Sequence, residues 1–304
     1  RVKRLFQACT TLQNLEQPEQ LIATYRRVLE VDELNARAFD ELERLFKVTE
    51  DWHELSELLI ERIERAEETS ERAQRRHQLA ELYEVRLDRV DDALEQLRLI
   101  LEEEDANFEL AYASLERLAS AWRDLGEGEA HRLMIAELLE PLYLEREMWR
   151  EWLQTQEDLS ELEHDPVARS ERLHEMARVM EQRLNEPQGA FETLARAFSA
   201  NFGEATLIED LDRLAPLTGA WAGLVEAYTT GVDTCPDPEV AHSLWLKVAA
   251  ARERHLSDHE GAIEALYSAH RLDEMSLTPL KELERLFEQL GRAQELTEVL
   301  KSQA

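Results

Sequence analysis

The chain has 304 residues, with 35 basic and 66 acidic side chains, a formal net charge of −31, and only 9 glycines and 8 prolines. Glu, Leu, Arg and Ala dominate, a helix-forming vocabulary, and runs of Val, Ile and Thr of the strand type are missing. Such acidity repels nucleic acid and anionic membrane, no apolar run approaches the roughly 18 residues of a membrane helix, and Cys9 and Cys235, far apart and in no spaced motif, argue against a disulfide scaffold and fit a reducing compartment.

The chain opens on "RVKRLFQ", without Met and without a signal-peptide pattern, and reads as a piece of something longer. At 41–46 stands "ELERLF", which returns unchanged at 282–287, with looser copies "SLERLA" at 114–119 and "DLDRLA" at 210–215. The anchors Leu42, Leu115, Leu211 and Leu283 are spaced 73, 96 and 72 residues apart, and Leu15, Leu87, Leu184 and Leu256 precede them by 27, 28, 27 and 27. Trp52, Trp149 and Trp221 fall at one equivalent position. The period is therefore 72 residues, read as two halves of about 36. The longer interval carries extra residues between Ala119 and Trp149, read as one additional helix near 120–148. The repeat divides the chain into units 1–69, 70–165, 166–236 and 237–304 of one continuous array.

Each half reads as two helices. Leu79, Leu82, Tyr83 and Leu87 fall at helical spacing in 77–87; a break follows at 88–91, and Ala93, Leu94, Leu97 and Leu101 open a second helix. Pro141 is expected to kink or split the extra helical region. "NEPQG" at 185–189 is a further break, punctuated by Pro and Gly. The whole predicts about 17 helices. A helix pair of this size has an apolar stripe too wide to bury alone, and stacking pairs on one another solves that. Leu42, Leu45 and Phe46, like Leu283, Leu286 and Phe287, are spaced to line one buried face.

The pattern resembles tetratricopeptide repeats. Leu173, Met176, Ala177 and Met180 are followed by Ala190, Leu194 and Ala197; Trp245, Val248 and Ala249 by Ala262, Leu266 and Ala269; and Leu79, Ala80 and Tyr83 open a third copy. Gly219 and Gly291 stand where that family places its turn glycine, and 28–38 is similar to its inter-repeat linker, with Glu33 in place of a Pro. The resemblance implies an all-α, right-handed superhelical α-solenoid of helix pairs. One departure is expected to loosen some pairs: Glu43, Glu116, Asp212 and Glu284 stand where the family prefers a small residue.

Few residues suggest chemistry. His255 and His259 are four apart but straddle a predicted turn, and "GEGE" at 126–129 lacks the Lys-Ser or Lys-Thr of a phosphate loop. No catalytic or metal site and no cofactor is expected. The recurrent tryptophans are expected to pack between helices, whereas Trp122 and Trp152 are candidate exposed anchors for a partner. Arg44, Arg117, Arg213 and Arg285 recur at one repeat position, which the resemblance places on the concave groove, where a guanidinium can grip a carboxylate; intrahelical pairs such as Asp40 with Arg44 and Glu209 with Arg213 are the structural alternative. The functional expectation is a non-enzymatic cytoplasmic scaffold that binds a protein or peptide, basic if charge steers it. Alternatives are a regulatory or assembly module of a larger protein, and an enzyme with a groove site near the extra helix.

Overall fold

The structure, a computed structural model, describes residues 1–14, 17–125, 128–232, 235 and 237–302. Leu15, the "GEGE" residues Gly126 and Glu127, and the repeat boundaries placed at 236 and 304 lie outside the described residues. Among the described residues there are 17 α-helices and no strand.

The helices fall into four sequential sets that follow the repeat. The first comprises α1 (Val2–Asn14), α2 (Pro18–Leu29), α3 (Ala36–Thr49) and α4 (Trp52–Arg65). The second comprises α5 (Thr69–Val85), α6 (Val90–Leu99), α7 (Glu109–Leu125), α8 (Glu129–Glu145) and α9 (Trp149–Leu162). The third is α10 (Pro166–Gln182), α11 (Pro187–Ala200), α12 (Ala205–Thr218) and α13 (Trp221–Gly231), and the fourth α14 (Pro238–Arg254), α15 (His259–Leu272), α16 (Thr278–Leu290) and α17 (Ala293–Ser302). The helices form two compact units, residues 1–142 and 143–304. α8 runs unbroken through Pro141, so the expected split does not occur. The proline lies in the second half of the helix, where its ring removes a single backbone donor.

Local chemistry sets the boundaries. Asp165 and Asp237 cap α10 and α14, each carboxylate accepting the amide of the residue two further on, with Pro166 and Pro238 next in line. The turn after the first helix of a set is the same in three copies. Leu87, Leu184 and Leu256 donate to carbonyls five residues back, and Arg89, Glu186 and Asp258 to carbonyls six back. The residue between is left-handed each time: Asp88, Asn185 and Ser257, at φ 52°, 56° and 54°. A second left-handed turn precedes α4, α9, α13 and α17, formed by Glu50, Glu147, Gly219 and Gly291. Gly219 and Gly291 adopt it freely, whereas a side chain there costs about 1 kcal/mol.

Burial follows the repeat. Leu42, Leu45 and Phe46 are buried, as are Leu283, Leu286 and Phe287. Pairs built on small residues close most tightly: α10 with α11, across Ala177, Ala190 and Ala197, and α14 with α15, across Ala249, Ala262 and Ala269, pack more extensively than α3 with α4 or α12 with α13. Acids at the small-residue position explain the looser pairs. Glu43 lies against Lys47, Arg62 and Arg75, and Asp212 accepts from the Tyr228 hydroxyl and pairs with Lys247. Burial pushes the Tyr228 phenol well above its ordinary range, with the Asp212 carboxylate adding to the effect. Beyond α6 the chain widens into a π-helical segment, Ile100–Glu104. Its last residue, Glu104, has a side chain only 4 % exposed and accepts from Arg72 Nε at 2.8 Å and from Arg76. Arg72 also donates to the carbonyls of Ala66 and Glu67, tying the end of α4 to this corner.

Candidate interaction face

The four arginines of the repeat sit on α3, α7, α12 and α16. Three of them reach back to the first helix of their own set. Arg117 donates through both terminal nitrogens to Glu84 at 2.5 and 2.6 Å, Arg213 to Glu181 at 2.5 and 2.8 Å, and Arg285 to Glu253 at 2.8 and 2.6 Å. This is the bidentate fork geometry in which a guanidinium matches a carboxylate. The acids share a repeat position, 97 and 72 residues apart like their partners' frame. Asp210 and Glu282, three residues before Arg213 and Arg285, add a second carboxylate to each. The i, i+4 partners expected from the sequence, Asp40 and Glu209, are not the ones used: Asp40 pairs with Arg62 instead.

The fourth rung differs. Leu12 occupies the position of Glu84, Glu181 and Glu253. Arg44, its side chain 50 % exposed, therefore has Glu41 alone, at 3.1 Å through Nε. Its two terminal nitrogens meet no acceptor among the described residues.

The electrostatics follow these contacts. The hydrogen bonds from Arg285 outweigh burial and hold the Glu253 carboxyl below its ordinary range. At Asp210 burial acts upward, and hydrogen bonds from Arg213 and from His174, at 2.8 Å, overcome it to lower the carboxyl. Arg117, Arg213 and Arg285 are correspondingly raised, first by their hydrogen bonds to Glu84, Glu181 and Glu253.

The recurrent tryptophans open α4, α9 and α13 and bridge to the neighbouring set. Arg86 lies over the Trp52 ring at 4.7 Å and Arg183 over Trp149 at 4.9 Å, while His255 stacks on Trp221 at 3.6 Å with the rings 3° from parallel. Arg86, Arg183 and His255 each follow the last residue of α5, α10 and α14. The stacking partner was missed in the sequence, although its positions carry the same 97- and 72-residue spacing. His255 and His259 do not share a helix, the first ending α14 and the second beginning α15. Trp122 is half-buried, its ring 4.3 Å from that of His131, which in turn meets Asp91 at 2.5 Å. Trp152 is 4 % exposed and packed inside, so it is not the surface anchor the sequence suggested: it projects from the buried face of α9, with Leu153, Gln156 and Leu159.

Clefts lie between alternate helices. One of about 570 Å³ is framed by α3, α4 and α5; one of about 560 Å³ lies between α10 and α12; one of about 190 Å³ is framed by α14, α15 and α16. The second is lined by the rung itself, Glu181, Asp210 and Arg213, with Arg178. Among the described residues no helix is long and apolar enough to cross a membrane.

No family model matches the sequence, and no curated protein matches it. Solved structures similar to it are helical-repeat proteins. A Naa15/Naa10 complex bound to HypK matches at 14 % identity and TM-score 0.32, over 96 % of this chain and 51 % of that one. Yeast Tom70 matches at 13 % and 0.30, over 99 % and 68 %, and the TPR2AB domain of yeast Sti1 at 11 % and 0.31, over 88 % and 98 %. The chain thus spans about half the length of the Naa15/Naa10 match. The chain is a helical-hairpin repeat protein resembling the tetratricopeptide class.

Proposed function

We propose that the chain is a non-enzymatic interaction scaffold that receives a protein or peptide on faces of alternate helices, α3, α5 and α7 in one unit and, separately, α10, α12, α14 and α16 in the other. The carrying observation is the open clefts within the units, one framed by α3, α4 and α5, one between α10 and α12 and one framed by α14, α15 and α16, each lined by side chains from two or three helices. Stacked hairpins offer surfaces of this kind because every repeat contributes the same positions side by side. Arg44, Arg117, Arg213 and Arg285 are the proposed contact positions. Three already hold a carboxylate, so a partner's acid has to compete there, and only Arg44 offers an open fork. Trp122, half-buried on α7, is a further proposed contact position; Trp152 is left out because it is buried. The formal charge of −31 favours a basic partner.

The test is affinity capture with the purified chain, followed by mass spectrometry of what is retained. Capture is then repeated with Arg44, Arg117, Arg213 and Arg285 changed to Glu. A specific retained protein, lost with these changes, is expected. Retention indifferent to all four would contradict the reading.

A further inference from the structure

The junctions between sets are built alike. α5, α10 and α14, the first helices of their sets, pack on α4, α9 and α13, the last helices of the sets before. One position on the last helix is sealed each time: Leu59, Gln156 and Tyr228 are 3 %, 2 % and 1 % exposed. Leu300 holds that position on α17, continuing the spacing of 97, 72 and 72 residues, and is 45 % exposed. One turn earlier Leu55, Trp152 and Leu224 are buried, whereas Leu296 is only half-buried. α17 therefore presents the apolar half of a junction whose covering helix is missing.

The other half of a junction is apolar too. Leu79, Met176 and Val248 are buried at one position of the covering helices, and Leu82, Val179 and Ala251 at another three residues on. Leu82 lines a cleft with Trp52, Leu55 and Leu59 of α4. α1, the first helix of the first set, carries Gln7 and Thr10 at these two positions, and both are exposed. Its outer face is polar and asks for no cover, so the α1 of a second copy does not match Leu300. Nor does α17 match a further set of the same kind. The tryptophan that opens α4, α9 and α13 and stacks on the following set is replaced by Ala293.

We propose that the outer face of α17 docks an amphipathic helix of a partner protein. The helix presents aliphatic residues three apart, as Val248 and Ala251 are on α14, and lies over Leu296 and Leu300 as α5, α10 and α14 lie over the equivalent residues. This surface is additional to the faces of alternate helices.

The probe is a fluorescein-labelled, capped peptide of residues 238–254, the α14 helix, titrated with the full chain and followed by anisotropy. The control peptide carries Val248→Gln and Ala251→Thr, the residues that α1 has at these positions. In about 0.5 M salt, where charge is screened, the first peptide is expected to bind and the control to bind about tenfold more weakly. Leu300→Asp in the chain, checked by circular dichroism for retained helix, is expected to weaken the first peptide about tenfold, and Leu217→Asp, on α12, to leave it unchanged. No binding of the first peptide, equal binding of the two, or indifference to Leu300→Asp overturns the proposal. Indifference to Leu300→Asp, with a captured partner still lost on reversing the four arginines, sinks the α17 surface and leaves the scaffold reading intact.

Discussion

The same six residues, Glu-Leu-Glu-Arg-Leu-Phe, stand in α3 and in α16, and their two arginines have different lives. Arg285 is clamped by Glu253 from α14 and by Glu282 from its own helix. Arg44 has only Glu41. The apolar letters behave identically: Leu42 and Leu283 are both wholly buried, as are Phe46 and Phe287 to within a trace. A repeated phrase therefore fixes which face of a helix is buried. The chemistry of the opposite face depends on a residue some thirty positions earlier, Leu12 in one copy and Glu253 in the other. Recurrence of a charged residue predicts its location and says little about its partner.

The largest effect should be the one that treats both copies alike. Leu42→Ala and Leu283→Ala each remove a fully buried side chain and should each destabilise by about 2–5 kcal/mol, measured by denaturant unfolding. A large difference between them would show that the copies are not equivalent in the core. Next comes the buried corner at the π-helical segment, which the α16 copy lacks. Glu104→Gln leaves Arg72 and Arg76 short of their carboxylate and should cost about 3 kcal/mol, whereas Glu41→Gln at the exposed Arg44 should cost less than about 0.5 kcal/mol.

The rungs themselves should separate the copies by pH. Glu253 and Asp210 have carboxyls lowered by their arginine and histidine partners. A lowered group contributes stability above the ordinary carboxylate range and loses it as pH falls through the lowered value. Stability should therefore drop on acidification below about pH 4.5, and Glu253→Gln should flatten part of that slope. The smallest effect is a gain. Leu12→Glu restores the acid that the other copies possess and should add up to about 0.5 kcal/mol through Arg44. A double-mutant cycle with Arg44→Ala isolates the pair; zero coupling would mean that α1 and α3 do not present these positions to each other.

The fold was largely legible because it is written in apolar spacing. Leu anchors, turn residues such as Gly219 and Gly291, and the tryptophans that open α4, α9 and α13 all recur with the period. What escaped were contacts made across helices. Local spacing offers the arginines partners four residues away on the same helix, yet Glu84, Glu181 and Glu253 lie on another. The carriers of the tryptophan stacks, Arg86, Arg183 and His255, were equally periodic and equally silent, since a lone cation at a helix end has no local pattern. Trp152 misled for the reverse reason: one turn from Trp149 on the helix, it projects into the packing while Trp149 stays half-exposed. The π-helical turn at Ile100–Glu104 left no mark in the apolar spacing.

The central claim is that the alternate helices of each unit present the faces that receive the partner. Hydroxyl-radical footprinting of the chain with and without its captured partner tests it most directly, since Val48, Val85 and Leu217 are exposed on α3, α5 and α12, while Ile60 and Tyr267 are exposed on α4 and α15. The account predicts protection of the first three and unchanged labelling of the last two. Protection of Ile60 and Tyr267 with Val48, Val85 and Leu217 untouched would contradict it.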